Sequence, residues 1–205
     1  MKKNPIIYTS DVAFTPAVKK IQEINNSRRN YARMEQSRGW QSEITSQLEH
    51  FLQIMDSFYF STANGEGQPY VQHRGGPKGF LKVLDHKTLA FADFAGNQQF
   101  ITAGNLSENN KAYIFLMDYP NRRRIKIWGT AKLISNDQKL LDSLSDPSYQ
   151  ARPERAILFT VSAWDSNCPQ HIKQRFTKED IKDITAPLYQ KIEALESIIE
   201  QHRIN

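Results

Sequence analysis

The clearest strand signal in this 205-residue chain is the stretch Ser57-Phe58-Tyr59-Phe60-Ser61-Thr62-Ala63, followed by Asn64-Gly65. Aromatic and β-branched residues dominate the stretch, and Asn-Gly is a strong signal for a tight hairpin turn. A second strand, predicted over residues 69–74, begins only a few residues later, so the two strands pair antiparallel.

Five more segments of strand character follow, over residues 80–84, 88–94, 112–117, 124–134 and 156–164. Short turns join several of them, whereas parallel strands need crossovers of a dozen or more residues. Six or seven antiparallel strands in about 110 residues predict a small β-barrel. Two helical inserts are predicted near residues 97–103 and 136–144.

Helices flank the predicted barrel. Thr15 before Pro16 is typical of a helix start, a second helix is expected over residues 27–37, and Ser42 is the expected cap of a third. The last segment, residues 178–203, is amphipathic, and Pro187 predicts a kink or a new start within it. We therefore expect a helical arm (1–41), a barrel domain (42–176) and a C-terminal helix (177–205) that packs on the barrel or on a dimer partner.

Composition excludes several classes of protein. The mean hydropathy is −0.61 and no apolar run approaches the length of a membrane span. The single cysteine, Cys168, excludes an internal disulfide framework and a cysteine zinc cluster, and the five scattered histidines predict no metal site. With no visible secretory signal, the expected location is the cytoplasm.

The net charge of +5 belongs to the N-terminal arm. Residues 1–40 hold eight basic and three acidic residues, and the remainder of the chain is neutral. A nucleic-acid partner usually requires a basic face across the domain, so this distribution argues against one.

The first candidate site is the strand end Gln72-His73-Arg74-Gly75-Gly76-Pro77-Lys78-Gly79. Adjacent glycines uncover backbone N–H groups, and the arginine offers a bidentate partner for an anion. The alternative is an ordinary turn with a solvated arginine.

The second candidate site covers residues 91–99, where a strand runs into a helix. The N–H groups at the start of that helix suit a phosphate or a planar ring, with Asp93 and the amides of Asn97, Gln98 and Gln99 as hydrogen-bonding groups. Asp93 and the amides could equally cap the helix.

Two further segments carry chemistry. In the basic run 122–129, Arg124 and Lys126 share one strand face, which is either solvated or turned towards an anion. The polar segment 164–176 combines Trp164, His171 and Arg175, with His171 the best acid or base by its chemistry. Phosphate-loop, dinucleotide, zinc-protease and serine-hydrolase motifs are absent, which disfavours hydrolases and metalloenzymes.

Three motifs, in order, resemble those of the pyridoxamine 5′-phosphate oxidase-like family of FMN-binding split barrels. They are residues 72–77, the Phe-Ala-Asp-Phe strand 91–94, and Trp164-Asp165 followed by residues 167–171. The likeness covers roughly residues 44–176 and is greatest with an uncharacterised branch. It implies a mainly β fold, a six-stranded antiparallel split β-barrel with flanking helices, and a homodimer that binds FMN between its subunits.

The resemblance also implies roles for individual residues. The strand end formed by His73, Arg74, Gly75 and Gly76 would lie beside the flavin and its phosphate, Ala92 and Asp93 would touch the ring, and Asn97, Gln98 and Gln99 would grip the phosphate. Arg124 would contact FMN from a paired strand, and Trp164, Gln170 and Arg175 would complete the site from the other subunit.

Departures from the family pattern limit the implied reaction. The oxidase has serine-arginine-lysine where this chain has Asn97-Gln98-Gln99, so Arg74, Arg124 or Lys82 would have to supply the missing positive charge. Its substrate-binding motif is replaced by residues 170–175, which argues against vitamin B6 oxidation.

The prediction is a cytoplasmic, homodimeric FMN flavoprotein that exchanges hydride or electrons with an unidentified small molecule, with no membrane or metal involved. One alternative is a haem-binding split barrel in which His73 or His171 ligates iron. Another is a non-enzymatic flavin-binding or interaction module whose basic arm meets an acidic partner.

Overall fold

The computed structural model of the chain describes residues 6–166 and 169–204. Seven strands form one sheet in the order β2-β1-β5-β6-β7-β4-β3, with antiparallel pairing. They are β1 Ser57–Ala63, β2 Pro69–Gly75, β3 Lys82–Val83, β4 Thr88–Phe94, β5 Lys111–Asp118, β6 Arg123–Ile134 and β7 Pro153–Ser166. The predicted split-barrel class is confirmed, with seven strands rather than six because the two-residue β3 joins the edge of the sheet.

The helices are α1 Pro16–Ile24, α2 Arg28–Ser37, α3 Ser46–Ile54, α4 Ile101–Glu108, α5 Gln138–Leu144 and α6 Lys178–Ile204, preceded by a 3₁₀ turn over Thr9–Val12. Thr15 caps α1 as predicted, by accepting a hydrogen bond from the Val18 N–H at 3.3 Å. The prediction for α3 was wrong, because Thr45 rather than Ser42 accepts from the Leu48 N–H. Pro187 lies inside α6 and does not end it.

The barrel core consists of alternate residues of the strands, as period-two burial requires. Phe58, Phe60, Phe91 and Phe159 are almost fully buried. The ring of Phe91 meets those of Phe58 and Phe60 edge-on, with centroids 5.0 and 5.4 Å apart. β4 is buried on both faces because Ala90 and Ala92 pack into a second, smaller cluster with residues of α5.

Gly129 sits at an irregularity in the pairing of β6 with β7. A Cβ atom at this position would lie 2.1 Å from the Thr160 carbonyl oxygen and 2.6 Å from the Phe159 ring. The two strands can approach each other here only because residue 129 has no side chain.

The contacts divide the chain into two compact units. One comprises Met1–Met117 with Arg124–Cys168, and the other comprises Asp118–Arg123 with Pro169–Asn205. The predicted arm (1–41), barrel domain (42–176) and C-terminal helix (177–205) stay a prediction. Within the described residues, none of the helices is long and apolar enough to cross a membrane.

Within the first unit, the N-terminal arm packs on β6. Trp40 stacks on Trp128 with ring centroids 4.6 Å apart, and Phe14 packs on Trp40 at 5.0 Å. The buried Glu35 carboxylate accepts hydrogen bonds from Ser10 and from Arg28. Part of the positive charge of the arm is therefore neutralised by its own acidic residues.

Candidate functional site

A small cavity of about 60 Å³ lies where β2, β4 and β7 meet the start of α4. Its charged lining comes from Arg74 of β2, Asp93 of β4, and Glu154 and Arg155 of β7. The amide side chains of residues 97–99 and the first turn of α4 complete the wall. Because it collects charges from three strands and a helix end, this cavity is the candidate site.

Strand alternation selects which residues reach the cavity. Tyr70, Gln72 and Arg74 share one face of β2 and line the cavity, whereas His73 points to the opposite face. The register of β4 and β7 places Arg155 directly opposite Asp93.

Asp93 is the centre of a buried charge network. Its carboxylate accepts hydrogen bonds from Arg74 Nη1 at 2.5 Å and from Arg155 Nη2 at 2.7 Å. The side chains of Arg74 and Asp93 are each 10% exposed, and that of Arg155 is 21% exposed. A carboxylate between two guanidinium groups offsets the repulsion that would otherwise separate them.

The hydrogen bonding of the two arginines is incomplete. Arg74 Nη2 also donates to the Thr102 hydroxyl at 3.4 Å, which in turn donates to Gln72 at 3.0 Å. The Nε atoms of Arg74 and Arg155 are buried, yet neither has a hydrogen-bond partner among the described residues. Buried donors are rarely left unpaired in native proteins, so these two Nε–H groups are candidates to donate hydrogen bonds to a ligand.

The N-terminus of α4 adds backbone donors to the same cavity. Its cap residue, Phe100, has a left-handed backbone (φ 53°) and offers no side-chain oxygen to the first turn. The N–H groups of the first turn have no partner within the helix, and the helix dipole places partial positive charge there. Two guanidinium groups beside uncapped N–H groups are a chemically suitable setting for a phosphate.

The structure brings five of the predicted site residues to this cavity, namely Arg74, Asp93, Asn97, Gln98 and Gln99. Gly96, beside them, has nothing but the Phe94 carbonyl oxygen, 3.9 Å away, near the place of a Cβ atom.

Other residues of the same two motifs lie elsewhere. His73 is exposed and meets the Tyr59 ring edge-on at 5.6 Å. Ala92 is buried in the small cluster with α5. A Cβ atom on Gly76 would lie 2.6 Å from the buried Phe80 ring, so core packing accounts for that glycine, and Gly75 does not line the cavity either.

Trp164 and Arg124 lie outside the cavity lining. The Trp164 indole is buried and donates to the Glu43 carbonyl oxygen at 2.7 Å. It lines a second cavity, of about 640 Å³, together with Trp40, Trp128 and Lys126. Arg124 is half-buried on β6, and its Nε atom is buried without a partner among the described residues.

Tyr113 lies near Arg124, and burial is the main cause that raises the pKa of its hydroxyl to about 12. The nearby positive charge of Arg124 acts in the opposite direction and lowers this pKa. The tyrosine is therefore neutral at physiological pH and acts as a hydrophobic contact for Trp128, at 5.1 Å between ring centroids.

The C-terminal candidates belong to the second unit. Gln170, His171 and Arg175 are exposed, and His171 has a left-handed backbone (φ 65°). Arg175 lies over the Tyr119 ring at 4.8 Å, and Gln174 donates to the Pro120 carbonyl oxygen at 2.8 Å. Asn167 and Cys168 of the third motif lie outside the described residues.

Sequence reasoning missed Arg155 and Thr102. Arg155 supplies the second cation of the cavity, a role for which only Arg74, Arg124 and Lys82 were considered, and of those three only Arg74 lines the cavity. The available signal was the register, because pairing residues 88–94 with residues 153–160 sets Arg155 opposite Asp93.

The fold and the cavity together define a split β-barrel protein with a small cavity lined by charged side chains. Residues 44–168, more than half of the chain, match the family model described as pyridoxamine 5′-phosphate oxidase. The chain belongs to this family, as the sequence motifs predicted.

Three solved structures of similar fold are compared by sequence identity, by the share of each chain that is covered and by TM-score. HupZ of Group A Streptococcus is 17% identical, with 64% of this chain and 99% of that chain covered and a TM-score of 0.47. A putative pyridoxamine 5′-phosphate oxidase of Lactobacillus delbrueckii is 17% identical, with 61% and 95% covered and a TM-score of 0.47. An FMN-binding protein of Syntrophomonas wolfei is 11% identical, with 71% and 97% covered and a TM-score of 0.48. Among curated proteins there is no match.

Proposed function

We propose that this protein is a cytoplasmic, homodimeric oxidoreductase that uses FMN to exchange hydride or electrons with a small molecule. The observation that carries the proposal is the pair Arg74 and Arg155, held on Asp93 beside the uncapped start of α4. Family membership supports the choice of a flavin among phosphate-bearing cofactors, because the resemblance described above implies FMN.

The charges of the cavity fit a phosphate without the arginine and lysine of the oxidase. Arg155 would take the place of one missing cation, and the first-turn N–H groups of α4 would add neutral donors. Asp93 and Glu154 balance the two arginines in the absence of a ligand, so the net attraction for a phosphate would come from the partial positive charge at the start of α4. The buried Nε–H groups would supply part of the hydrogen bonding that favours binding.

The size of the cavity supports a second subunit as part of the site. A volume of about 60 Å³ accommodates a group of about phosphate size but not a three-ring system. The ring would then need other walls, for which His73, Arg124, Trp164, Gln170 and Arg175 are the predicted contributors, the last three from the partner.

Bound FMN would supply the redox chemistry, and the side chains would orient it and adjust its charge. Arg74 and Arg155 would hold the phosphate end, which fixes the position of the remainder. A cationic side chain near the ring, such as Arg175, would favour an anionic form of it. His171, which is exposed, is the proposed proton donor or acceptor, because an imidazole ring carries one nitrogen that can donate a proton and one that can accept a proton.

The test is a titration of the full chain with FMN and with riboflavin, which lacks the phosphate, followed by flavin fluorescence. We expect FMN to bind at least about tenfold more tightly than riboflavin, since one charge-assisted contact contributes more than 1.4 kcal/mol. Arg155→Met and Arg74→Met should lower FMN affinity towards that of riboflavin and leave riboflavin binding unchanged.

Arg152→Met is the matched control, because Arg152 is 80% exposed and its ion pair within the described residues is with Glu154. It should bind FMN like the unmodified chain. Failure of the unmodified chain to bind FMN would reject the proposal. FMN binding without any reduction by electron donors would leave a flavin-binding module and reject the oxidoreductase part.

A further inference from the structure

Helix α6 carries the longest exposed apolar surface of the described chain. Eight large apolar side chains on this helix are between 47% and 63% exposed: Ile181, Ile184, Leu188, Tyr189, Ile192, Leu195, Ile198 and Ile199. A surface of this extent is rare on a helix that works alone, and it usually marks an interaction site.

Five of these eight apolar residues follow a seven-residue repeat at positions a and d, and Ile184, Tyr189 and Ile198 flank them at positions g and e. With Ile181, Leu188 and Leu195 at position d, Ile192 and Ile199 fall at position a. Over residues 188–199, leucine at d and isoleucine at a give the pattern that favours two parallel helices over trimers or tetramers. The repeat therefore indicates that the partner is a helix and that two helices pair.

Thr185, at the a position between Ile181 and Leu188, is compatible with burial in this seam. Its hydroxyl donates to the Ile181 carbonyl oxygen of its own helix at 2.8 Å. Burying Thr185 against another helix would therefore leave no unpaired donor. Pro187, at position c, lies away from the seam and would not obstruct a partner.

The flanking charges are self-complementary. Lys191 lies at position g and Glu196 lies five residues later at position e. In a parallel pair of identical helices, g of one helix faces the following e of the other, which gives two symmetric Lys–Glu pairs. In an antiparallel pair in which Leu188 meets Ile192, the two Lys191 side chains would face each other and repel.

We infer that α6 pairs with α6 of a second copy of this chain as a parallel two-stranded coiled coil. The occupant of the apolar face is thus an identical helix rather than an unrelated protein. This interface would exist independently of FMN and of any pairing between barrels, so it does not depend on the proposed function.

Cysteine cross-linking of the full-length chain tests the inference. In a Cys168→Ser background, Ile192→Cys places one thiol in the seam, and Gln190→Cys places one at position f on the opposite face. We expect Ile192→Cys to form disulfide-linked dimers at least about tenfold faster than Gln190→Cys at equal concentration, because pairing raises the effective thiol concentration.

A second substitution separates specific pairing from chance collision. Leu195→Glu added to Ile192→Cys should abolish the rapid cross-link, whereas Ser197→Glu, at position f, should leave it intact. Circular dichroism of each variant checks that α6 is retained.

Two results would overturn the inference. Equal, slow cross-linking of Ile192→Cys and Gln190→Cys would show that the helix meets another surface. Rapid cross-linking between a Leu188→Cys chain and an Ile192→Cys chain, with neither linking to itself, would show an antiparallel pair.

Discussion

Arg155 should stabilise the barrel as well as the proposed phosphate site. Arg155→Met removes the charge, the hydrogen bond to Asp93 and the cation–π contact of the guanidinium with the Phe100 ring, and it keeps most of the apolar stem. Among the described residues, Asp93 then keeps Arg74 as its one cationic partner and remains buried.

The expected loss in the free energy of unfolding is about 2 kcal/mol. Removing one partner of a fully buried ion pair costs about 3–5 kcal/mol. The cost is smaller here because Arg155 is 21% exposed and Asp93 keeps its 2.5 Å contact with Arg74. The same truncation at Arg152, which is 80% exposed, should change stability by less than about 0.5 kcal/mol.

Urea unfolding at pH 7, followed by far-ultraviolet circular dichroism, measures both variants against the unmodified chain. The slope of the free energy with urea should stay constant, so that a shift in midpoint reports stability alone. If Arg155→Met and Arg152→Met lose equal stability, the buried network does not contribute as described. A saturating concentration of FMN should stabilise the unmodified chain more than Arg155→Met, because only the former retains the full phosphate site.

Three further predictions address Gly129 at the β6–β7 irregularity, Gly104 on α4 and the partly buried Tyr113. Gly129→Ala should cost at least about 3 kcal/mol or prevent folding, because its Cβ would lie 2.1 Å from a carbonyl oxygen. A Cβ atom on Gly104 of α4 would meet nothing within 4 Å, so Gly104→Ala should raise the free energy of unfolding by about 0.5–1 kcal/mol. Urea midpoints of the two variants measure both effects. Since the pKa of Tyr113 is about 12 in the folded chain against about 10 unfolded, stability should fall as pH rises from 10 to 12, where only the unfolded form loses the proton. Because Tyr113 is partly exposed, the expected loss in the free energy of unfolding over this pH range is about 1 kcal/mol. Tyr113→Phe should remove this pH dependence and also the last step of a tyrosinate absorbance titration. An unchanged titration would contradict the assigned pKa.

Local patterns were sufficient to predict the strands, because each alternation of aromatic and β-branched residues reflects one buried face. They were insufficient for the cap of α3. Ser42 and Thr45 are both good N-cap residues, and the choice of Thr45 depends on where the chain enters the barrel rather than on cap chemistry.

The candidate site was predicted only in part because it is made by long-range pairing. Arg74 and Asp93 belong to recognisable motifs, so sequence reasoning found both. The sequence around Arg155 does not distinguish it from Arg152, three residues earlier. The two arginines differ in their tertiary contacts, because Arg155 pairs with Asp93, which lies 62 residues away in the chain. The stacking of Trp40 on Trp128 is likewise a tertiary contact without a local signal.

The packing of the N-terminal arm on β6 has a spectroscopic consequence. All three tryptophans of the chain, Trp40, Trp128 and Trp164, line the same cavity. Intrinsic tryptophan emission therefore reports on the attachment of the arm, whereas circular dichroism reports on the sheet and helices as a whole. Release of the arm before the barrel unfolds would appear as an emission change at lower urea than the dichroism change, and cooperative unfolding would make the two coincide.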